Sequence, residues 1–483
     1  MPALWAVVSQ LAKESGVAAI LGSSYDTKLL YLQRFIRLFA YGISFLILVH
    51  YLTNLGISDA KVGLFMTLTL LGDVVISFCL TLITDRVGRR KVLAAGAGLM
   101  AMSGVVFTLS SNYWFLVLTS VVGVISPSGN EIGPFRAIEE SILAQLTKQD
   151  VRSDVFAWYT LFGTLGAALG TLTCGFMVGA LQGLGSWTLL MAYRVVFALY
   201  ALLGLFKLVL ILMLSRAVEP ESSEQAYQEI ATELEDEGLL SDTFDDDEPE
   251  TTPAKPKKSS QVHPLHPPRG QSLARRVTAL LPTISPLSRA ILIKLIFLFA
   301  LDSFASGLAS PSWLTYFFTT VHLLPSQALG TLFLVTNLLA TVSNLLALPL
   351  ARRLGPLKTM TFTHLPSAIF LSMVPFPPAT KSGTWVATGF LALRACTQSM
   401  DQAPRQAFLA AAVLPAERTA VLGVVNIAKT LAQSGGIGCT GALAGAKLWV
   451  VVFVGAGTLK ASYDLLMLWM FLGVKDRESS TQT

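Results

Sequence analysis

Long apolar runs dominate this sequence and limit what the chain can fold into. Stretches of predominantly apolar residues recur along it, and those of about 18 residues or more can cross the hydrocarbon core of a bilayer as a helix. A backbone in lipid must satisfy its own hydrogen bonds, so these runs form helices or strands of a closed barrel. They lack the residue-by-residue alternation of a membrane barrel. The sequence therefore predicts an all-α, multi-pass membrane protein.

The composition agrees with this class. Of the 483 residues, 53% are hydrophobic and only 13% are charged, whereas about a quarter of the residues in soluble proteins are charged. Twelve transmembrane helices are predicted, six on either side of a polar segment. Their approximate bounds are 29–53, 58–83, 91–110, 113–142, 154–180, 187–215, 288–320, 325–351, 356–376, 384–412, 419–444 and 448–473.

The polar segment between the sixth and seventh helices differs from the rest of the chain. It contains the acidic run "ELEDEGLLSDTFDDDEPE", followed by a sequence rich in proline, lysine and serine. Charge blocks and proline with few apolar residues are typical of disordered linkers. We therefore expect five regions: an N-terminal segment (1–28), a first six-helix bundle (29–215), a linker (216–287), a second six-helix bundle (288–473) and a C-terminal tail (474–483).

Lysine and arginine fall in alternate loops, and this predicts the orientation of the chain. "DRVGRRK", "LTKQDVR", the linker, "ARRLGPLK" and the tail lie on one side, and the opposite loops are nearly uncharged. Basic loops tend to stay in the cytoplasm. The N-terminus, the C-terminus and the linker are therefore predicted to be cytoplasmic.

The two halves also resemble each other in sequence. "LFAYGIS" (38–44) aligns with "LFALDSF" (298–304), "VGRRKVL" aligns with "LGPLKTM", and "GPFRA" (133–137) aligns with "APRQA" (403–407). The order of these segments is preserved and their offset stays at about 260 to 270 residues, as an internal duplication predicts.

The joint between the second and third predicted helices carries a motif. Two six-helix halves, a cytoplasmic linker and the sequence "TLITDRVGRRK" together resemble the major facilitator superfamily, whose members carry G-x-x-x-D-R-x-G-R-R-[KR] at this joint. Thr81 stands where the family has its first glycine, and the second-half copy "LPLARRLGPLK" is degenerate. The matching residues are Asp85, Arg86, Gly88, Arg89, Arg90 and Lys91.

The resemblance implies a gate at this joint. Asp85 would face a helix N-terminus in the other half and hold the cytoplasmic side closed in one state. Arg86 would pair with an acid near the cytoplasmic end of the fourth helix, where Glu139 and Glu140 lie. Membrane topology and attraction to anionic lipids are an alternative explanation of the three cations that follow, Arg89, Arg90 and Lys91.

Ionisable residues within the predicted helices are candidates for function, because a charge at bilayer depth is costly unless it is paired or hydrated. The fourth helix ("ISPSGNEIGPFRAIEES") and its counterpart in the tenth ("RACTQSMDQAPRQA") combine prolines with acids. Broken helices are tolerated at this depth where they line a cavity or are buried in protein. Carboxyl groups there suit proton binding, and a static pair such as Asp401 with Arg405 is the alternative. The proton-coupling candidates are Glu131, Asp401, Asp302 and Asp73.

The resemblance also implies that helices one, four, seven and ten line a substrate cavity. Basic residues among the candidates would suit an anionic or zwitterionic solute. The cavity candidates on or beside these helices are Arg37, Tyr41, Asn130, Arg394, Gln398, Gln402, Asn426 and Lys429.

Other charged residues are expected to have structural roles. Lys460 and Asp464 lie four residues apart on one helix and are predicted to pair with each other. His364 is expected to hydrogen-bond to a neighbouring helix. Arg34 and Lys294 are expected to extend to the membrane surface.

The three glycines of "FGTLGAALG" (162–170) are expected to permit close packing of the fifth helix.

These features predict a secondary active transporter that moves a small organic solute by alternating access. Proton symport is favoured over facilitative uniport because several acids lie at membrane depth, and a non-transporting receptor on the same fold is the other alternative. The sequence lacks a phosphate-binding P-loop and a metal-ligand cluster, so no enzymatic activity, cofactor or metal is expected. The expected partners are the solute, the bilayer and protons, without nucleic acid or an obligate protein partner. The plasma membrane and an organelle membrane fit equally well.

Overall fold

Fifteen α-helices and two short 3₁₀-helices (Arg216–Val218 and Ser399–Asp401) make up most of the part of the chain that the computed structural model describes. This part comprises residues 17–123, 125, 134–148, 151–219, 286–402, 404–405, 408–409 and 418–471. The first half contributes α1 (Val17–Gly22), α2 (Tyr25–Asn54), α3 (Asp59–Val87), α4 (Arg89–Leu109), α5 (Tyr113–Gly123), α6 (Pro134–Leu146), α7 (Arg152–Gly183) and α8 (Leu189–Leu212). The second half contributes α9 (Pro286–Leu308), α10 (Pro311–Thr320), α11 (Ser326–Leu354), α12 (Pro356–Met373), α13 (Lys381–Gln398), α14 (Arg418–Gly445) and α15 (Trp449–Phe471).

Every predicted membrane span coincides with one or two of these helices. Eight segments of the described chain are long and apolar enough to cross a membrane, and the shorter α5 is also apolar. The protein is therefore an all-α, multi-pass membrane protein, as predicted. The bounds of the five predicted regions stay predictions, and most of the linker lies outside the described residues.

At two places a single glycine joins consecutive helices, and both joints lie at the same end of the bundle. Gly88 separates α3 from α4 with φ 101°, and Gly355 separates α11 from α12 with φ 80°. Residues with a Cβ rarely adopt such angles, so glycine lets each pair of helices reverse direction within one residue. We call this end, where arginines flank both joints, the basic end, and the opposite end the neutral end. The repeated joint agrees with an internal duplication.

The two halves of the chain meet closely at the neutral end. A Cβ added to Gly63 of α3 would lie 2.8 Å from the Cα of Gly441 in α14. A Cβ added to Gly175 of α7 would lie 3.1 Å from the Cα of Gly330 in α11. The offset of about 260 to 270 residues that an internal duplication implies relates Gly63 to Gly330 and Gly175 to Gly441, so the two contacts are equivalent.

Buried apolar side chains form three clusters with different memberships. The largest contains residues of both halves from the neutral end, among them Phe65 and Phe317. A second cluster, which includes Ile142, belongs to the first half alone. The third, which includes Met467, belongs to the second half alone. The described halves therefore share a core at the neutral end and have separate cores at the basic end.

One predicted membrane helix is interrupted within the described residues. The predicted seventh helix is divided into α9 and α10 at Ala309–Ser310. Pro311, the first residue of α10, lacks an amide proton and has a backbone angle suited to starting a helix. The predicted fourth helix contains α5 and α6, and its central residues 126–133 lie outside the described part of the chain.

The glycines of α7 bring it close to α2, as predicted. A Cβ added to Gly166 would lie 2.4 Å from the carbonyl oxygen of Phe35, and one added to Gly170 would lie 2.2 Å from that of Phe39. The backbones approach closely because these positions carry no side chain.

Candidate functional site

A buried carboxylate joins four helices of the first half. Glu139 of α6 is fully buried and accepts hydrogen bonds from Arg37 Nη2 of α2 at 2.7 Å and from the hydroxyl group of Tyr159 in α7. Lys207 Nζ of α8 lies 3.4 Å from the other carboxylate oxygen. We call these four residues the first-half cluster. A buried carboxylate with two cations and a hydroxyl donor is well compensated, so the cluster ties the four helices together.

Arg34 lies beside this cluster and is buried, so the prediction that it extends to the membrane surface is wrong. Its guanidinium carbon is 4.6 Å from the centroid of the Tyr159 ring. A cation over an aromatic face is stabilised where water is excluded, and this contact explains why Arg34 stays inside. Lys294 is exposed near the basic end of α9, as expected.

Cations of the joint at Gly88 contact the ends of neighbouring helices. Arg89 Nη1 donates to Gln145 Oε1 near the end of α6 at 2.6 Å, and Arg90 donates to the carbonyl oxygen of Leu212 at the end of α8. Cations are favourable at helix C-termini, where carbonyl groups are unpaired. These two arginines therefore hold helices of the first half together at the basic end.

The side chains of Asp85 and Arg86 lie outside the described residues, so their role in a gate stays a prediction. Both acids considered as partners of Arg86 have other described partners. Glu139 is held in the first-half cluster, and Glu140 Oε1 lies 2.6 Å from Arg136 Nε, one turn earlier.

A second network of charges lies in the second half. Asp302 of α9 accepts hydrogen bonds from Lys460 Nζ of α15 at 2.7 Å and from Arg405 Nη1 at 3.1 Å. Arg405 also donates to Asp401, the pairing that the sequence analysis gave as the alternative to proton binding. We call Asp302, Asp401, Arg405 and Lys460 the second-half cluster. It joins α9 and α15 to the segment that follows α13.

Lys460 and Asp464 are not partners of each other, so their predicted pairing is wrong. Lys460 Nζ donates to Asp302 and to Ser306 Oγ at 2.8 Å. Both oxygens of Asp464 lie 2.9 Å from Nδ1 of His364 in α12. Both side chains face the interior of the bundle, where partners on other helices are available. The bond from His364 to a neighbouring helix is confirmed.

Two further cations, Arg394 and Lys429, border the second-half cluster. Arg394 is only 8% exposed, and both cations interact electrostatically with Asp302. Lys429 Nζ lies 5.5 Å from the ring centroid of Phe299, and the guanidinium carbon of Arg405 is equally far from that ring. Within the described part of the chain, neither Arg394 nor Lys429 has a carboxylate at salt-bridge distance.

Asp73 and Tyr41 belong to neither cluster. Asp73 is buried in α3, where Ser77 hydrogen-bonds to its carboxylate. Its Oδ1 atom has no hydrogen-bond partner among the described residues. The ring of Tyr41 stacks on that of Phe45, with 4.9 Å between the centroids.

The other cavity candidates differ in exposure. Gln398 is half-buried, and Gln402 and Asn426 are exposed. Asn130 and Glu131 lie outside the described residues, so their predicted roles stay predictions.

Two members of the first-half cluster, Lys207 and Tyr159, are absent from the sequence-based candidates. Lys207 interrupts the apolar run "LLGLFKLVLIL" (202–212). A lone lysine within a predicted membrane helix is a candidate for the same reason as the other ionisable residues in these helices. Tyr159 carries no such signal, because a tyrosine in a membrane helix is ordinarily a packing residue.

The two clusters use corresponding helices with exchanged charges. In each, a lysine of the last helix of the half meets a carboxylate that also binds an arginine. In the first half the acid lies on α6, part of the predicted fourth membrane helix. In the second half it lies on α9, part of the predicted seventh membrane helix. Neither cluster resembles a metal site, since no group of three His, Cys, Asp or Glu residues in the described ranges could hold a metal ion.

Known proteins resemble the whole chain. A family model described as Major Facilitator Superfamily matches residues 30–436. The Saccharomyces cerevisiae protein named "Uncharacterized membrane protein YJR124C" is 36% identical over 456 residues, which cover 94% of this chain and 95% of that protein. A D-xylose-proton symporter structure aligns with a TM-score of 0.64 at 16% identity, over 91% of this chain and 96% of that one. A POT family transporter in complex with 5-aminolevulinic acid also gives 0.64, at 14% identity, over 93% and 96%.

The family match covers most of the chain and includes the motif at the joint. The two solved structures share the fold at an identity too low to transfer a substrate. Family and fold together indicate a membrane transporter and not an enzyme. This chain belongs to the Major Facilitator Superfamily.

Proposed function

We propose that the protein is a secondary active transporter that moves a small organic solute by alternating access, coupled to protons. The second-half cluster is the observation that carries this proposal. Asp302, Arg405 and Lys460 place three ionisable groups in the interior of the membrane bundle. Such groups are costly at bilayer depth and are typical of substrate and proton pathways.

The contacts between the halves support alternating access. The glycine pairs Gly63–Gly441 and Gly175–Gly330 bring the halves together at the neutral end, and at the basic end the described residues form a separate apolar core in each half. Transporters of this architecture rock one bundle against the other around a central site. A solute would therefore reach the site from the basic end in this state.

The second-half cluster also suggests how protons could couple to transport. The carboxylates of Asp302 and Asp401 hold Arg405, and Asp302 also holds Lys460. A proton on either carboxyl group would weaken these pairs and free a cation. Asp73 is a second candidate because its buried Oδ1 has no described partner, and Glu131 stays a candidate from the sequence.

We also propose that Asp85 and Arg86 gate the basic end. Gly88 turns the chain two residues after Arg86, and Arg89 and Arg90 bind the ends of α6 and α8. The joint that carries the motif is therefore anchored to other helices of the first half.

The D-xylose-proton symporter shares only the fold with this chain, so sugar transport does not follow from that likeness. Facilitative uniport and a non-transporting receptor remain the competing functions. Each makes a different prediction for the purified protein in a sealed membrane.

Proteoliposomes that contain the pH-sensitive dye pyranine separate the three functions. A panel of carboxylates, amino acids, sugars and nucleosides is added outside, and dye signal and solute uptake are both recorded. We expect at least one solute to enter together with protons and to accumulate only while a pH gradient is present. Uptake without proton entry would indicate uniport, and binding without uptake would indicate a receptor. Protein-free liposomes are the control.

A further inference from the structure

A buried histidine lies where the two halves meet at the neutral end. His50, near the end of α2, is only 6% exposed. Its ring lies against that of Tyr316 in α10, with 5.4 Å between the ring centroids. It also hydrogen-bonds to the backbone of Thr315. A side chain of the first half therefore depends on two residues of the second half for its surroundings.

A second contact between the halves uses the same tyrosine. The hydroxyl group of Tyr316 donates to Asp59 Oδ1 at the start of α3, at 3.0 Å. The ring of Tyr316 also lies beside those of Trp313 and Trp449, with 5.7 and 6.1 Å between the centroids. The second half thus holds this ring in place. When the neutral end opens, as alternating access requires, His50 loses its contacts with the second half and water reaches its ring.

One ring nitrogen of His50 has no partner in the closed arrangement. Nε2 is buried, and it has no hydrogen-bond partner in the described part of the chain. A neutral imidazole has one donor and one acceptor nitrogen, whereas a charged imidazole has two donors. The charged form would therefore place a charge and an unused donor in the protein interior, and both are costly away from water. The closed neutral end favours the neutral form of His50.

The charged groups nearby do not offset that cost by direct contact. On the elements packed against α2 at this end, the titratable and charged groups are Asp59 and Lys61 of α3, Cys174 of α7, Tyr193 and Arg194 of α8, Tyr316 of α10, and His322 just after it. No carboxylate among the described residues lies at salt-bridge distance from His50. Asp59 is already bonded to Tyr316, and Arg194 adds a further positive charge.

We propose that His50 is a proton-binding site of the transport cycle, empty while the neutral end is closed and filled when that end opens. Opening hydrates Nε2, so the open state binds a proton more tightly than the closed state. By linkage, acid on the side of the membrane that the neutral end faces shifts the equilibrium towards the open state. This inference rests on the proposed function and adds a proton site at the contact between the halves.

Distances between spin labels across the neutral end measure this equilibrium. Ser186, between α7 and α8, and Ser382, in the first turn of α13, are exposed at this end in opposite halves. Ser186→Cys and Ser382→Cys carry the labels in a protein whose native cysteines are replaced. Distances are recorded in nanodiscs without solute between about pH 5 and 8, where histidine titrates. We expect the open-to-closed ratio to rise as the pH falls, by at most about tenfold per pH unit, the limit for one proton.

Two histidine variants locate the proton. His50→Gln keeps a hydrogen-bond donor for Thr315 and carries no charge, so the ratio should no longer rise as the pH falls. His322→Gln is the matched control. This second buried histidine of the neutral end hydrogen-bonds to Thr384 Oγ1 in its own half, so its loss should leave the pH dependence unchanged.

Tyr316→Phe separates the histidine from Asp59. It removes the hydroxyl group that binds Asp59 and keeps the ring beside His50. The open fraction should therefore rise at every pH and still depend on pH. Loss of the pH dependence in Tyr316→Phe, with its retention in His50→Gln, would assign the proton to Asp59 and overturn the inference.

The wild-type titration tests the proposal even where a variant does not fold. No change of the distances with pH in the wild type would overturn it. An unchanged pH dependence in folded His50→Gln would do the same.

Failure of this inference is distinguishable from failure of the proposed function, because the distance measurement contains no solute. Proton-coupled uptake in proteoliposomes, together with an unchanged pH dependence of the distances in His50→Gln, would remove the histidine site and leave transport intact. Distances that depend on pH through His50, without uptake of any solute, would leave the site intact and remove transport.

Discussion

At the scale of single residues, Glu139 and Glu140 are neighbours in the chain with opposite surroundings. Glu139 is fully buried against Arg37, Lys207 and Tyr159, whereas Glu140 forms a partly exposed pair with Arg136 on the same helix. The two side chains are chemically identical, so any difference in their contributions to stability comes from their positions alone.

We predict that Glu139→Gln strongly destabilises the protein. The substitution leaves the buried Lys207 and the half-buried Arg37 without their counter-charge, and breaking a buried pair in this way costs about 3–5 kcal/mol. Glu140→Gln is the matched control, because an exposed pair contributes at most about 1 kcal/mol. Thermal unfolding in detergent measures both, and equal shifts in Tm would contradict the structural role given to Glu139.

The sequence identified most of the buried charges but not all of their partners. A charge in an apolar run is visible in the sequence, and that signal found Arg37, Asp302 and Arg394. The partner of Lys460 was mispredicted because helical spacing points to Asp464 on the same helix. Contacts between helices depend on how the helices rotate and pack, and one sequence does not contain that information.

At the scale of elements, the joints at Gly88 and Gly355 repeat one geometry in both halves. Each lets a helix end and another begin with a single residue of positive φ between them. Glycine is needed there because residues with a Cβ are strained at such angles.

We predict that Gly88→Ala destabilises the protein by about 1–3 kcal/mol, the cost of holding a residue with a side chain in this region. Gly98→Ala in α4 is the control. A Cβ there would have no neighbour within 4 Å, and alanine is the better helix former by up to about 1 kcal/mol. Thermal unfolding should therefore move Tm in opposite directions, and a harmless Gly88→Ala would show that the joint does not need glycine.

The joint at Gly88 also carries the proposed gate. Asp85→Asn should lower uptake while surface expression and Tm stay near wild type, because only one state of the transport cycle loses a contact. Asp154→Asn in the first turn of α7 removes an acid from the same end outside the motif and should transport normally. Uptake at the wild-type rate in Asp85→Asn would refute the gate.

The elements themselves were predictable because long apolar runs in a membrane have few alternatives to helices. The division of the seventh helix into α9 and α10 was not predicted. The apolar pattern continues through the break, although "ASPSW" (309–313) places a serine and a proline where a helix can start.

At the scale of the whole molecule, the halves are joined at the neutral end. Besides the two glycine pairs, Thr67 Oγ1 donates to the carbonyl oxygen of Ser434 at 2.9 Å, and the Tyr316 hydroxyl group donates to Asp59 Oδ1 at 3.0 Å. Alternating access requires all of these contacts to break when the solute enters or leaves at this end.

Thr67 and Gly438 offer a way to prevent that opening. A Cβ added to Gly438 would lie 3.9 Å from the Cβ of Thr67, within the range of about 3.5–4.5 Å found in disulfides. Thr67→Cys combined with Gly438→Cys should therefore cross-link α3 to α14 in a protein whose native cysteines are replaced, namely Cys79, Cys174, Cys396 and Cys439.

Uptake by this double variant in proteoliposomes tests whether the neutral end must open during transport. Oxidation should reduce solute uptake to the level of protein-free liposomes and a reductant should restore it, whereas each single-cysteine variant should transport throughout. Uptake at an unchanged rate by the fully cross-linked protein would contradict alternating access through the neutral end.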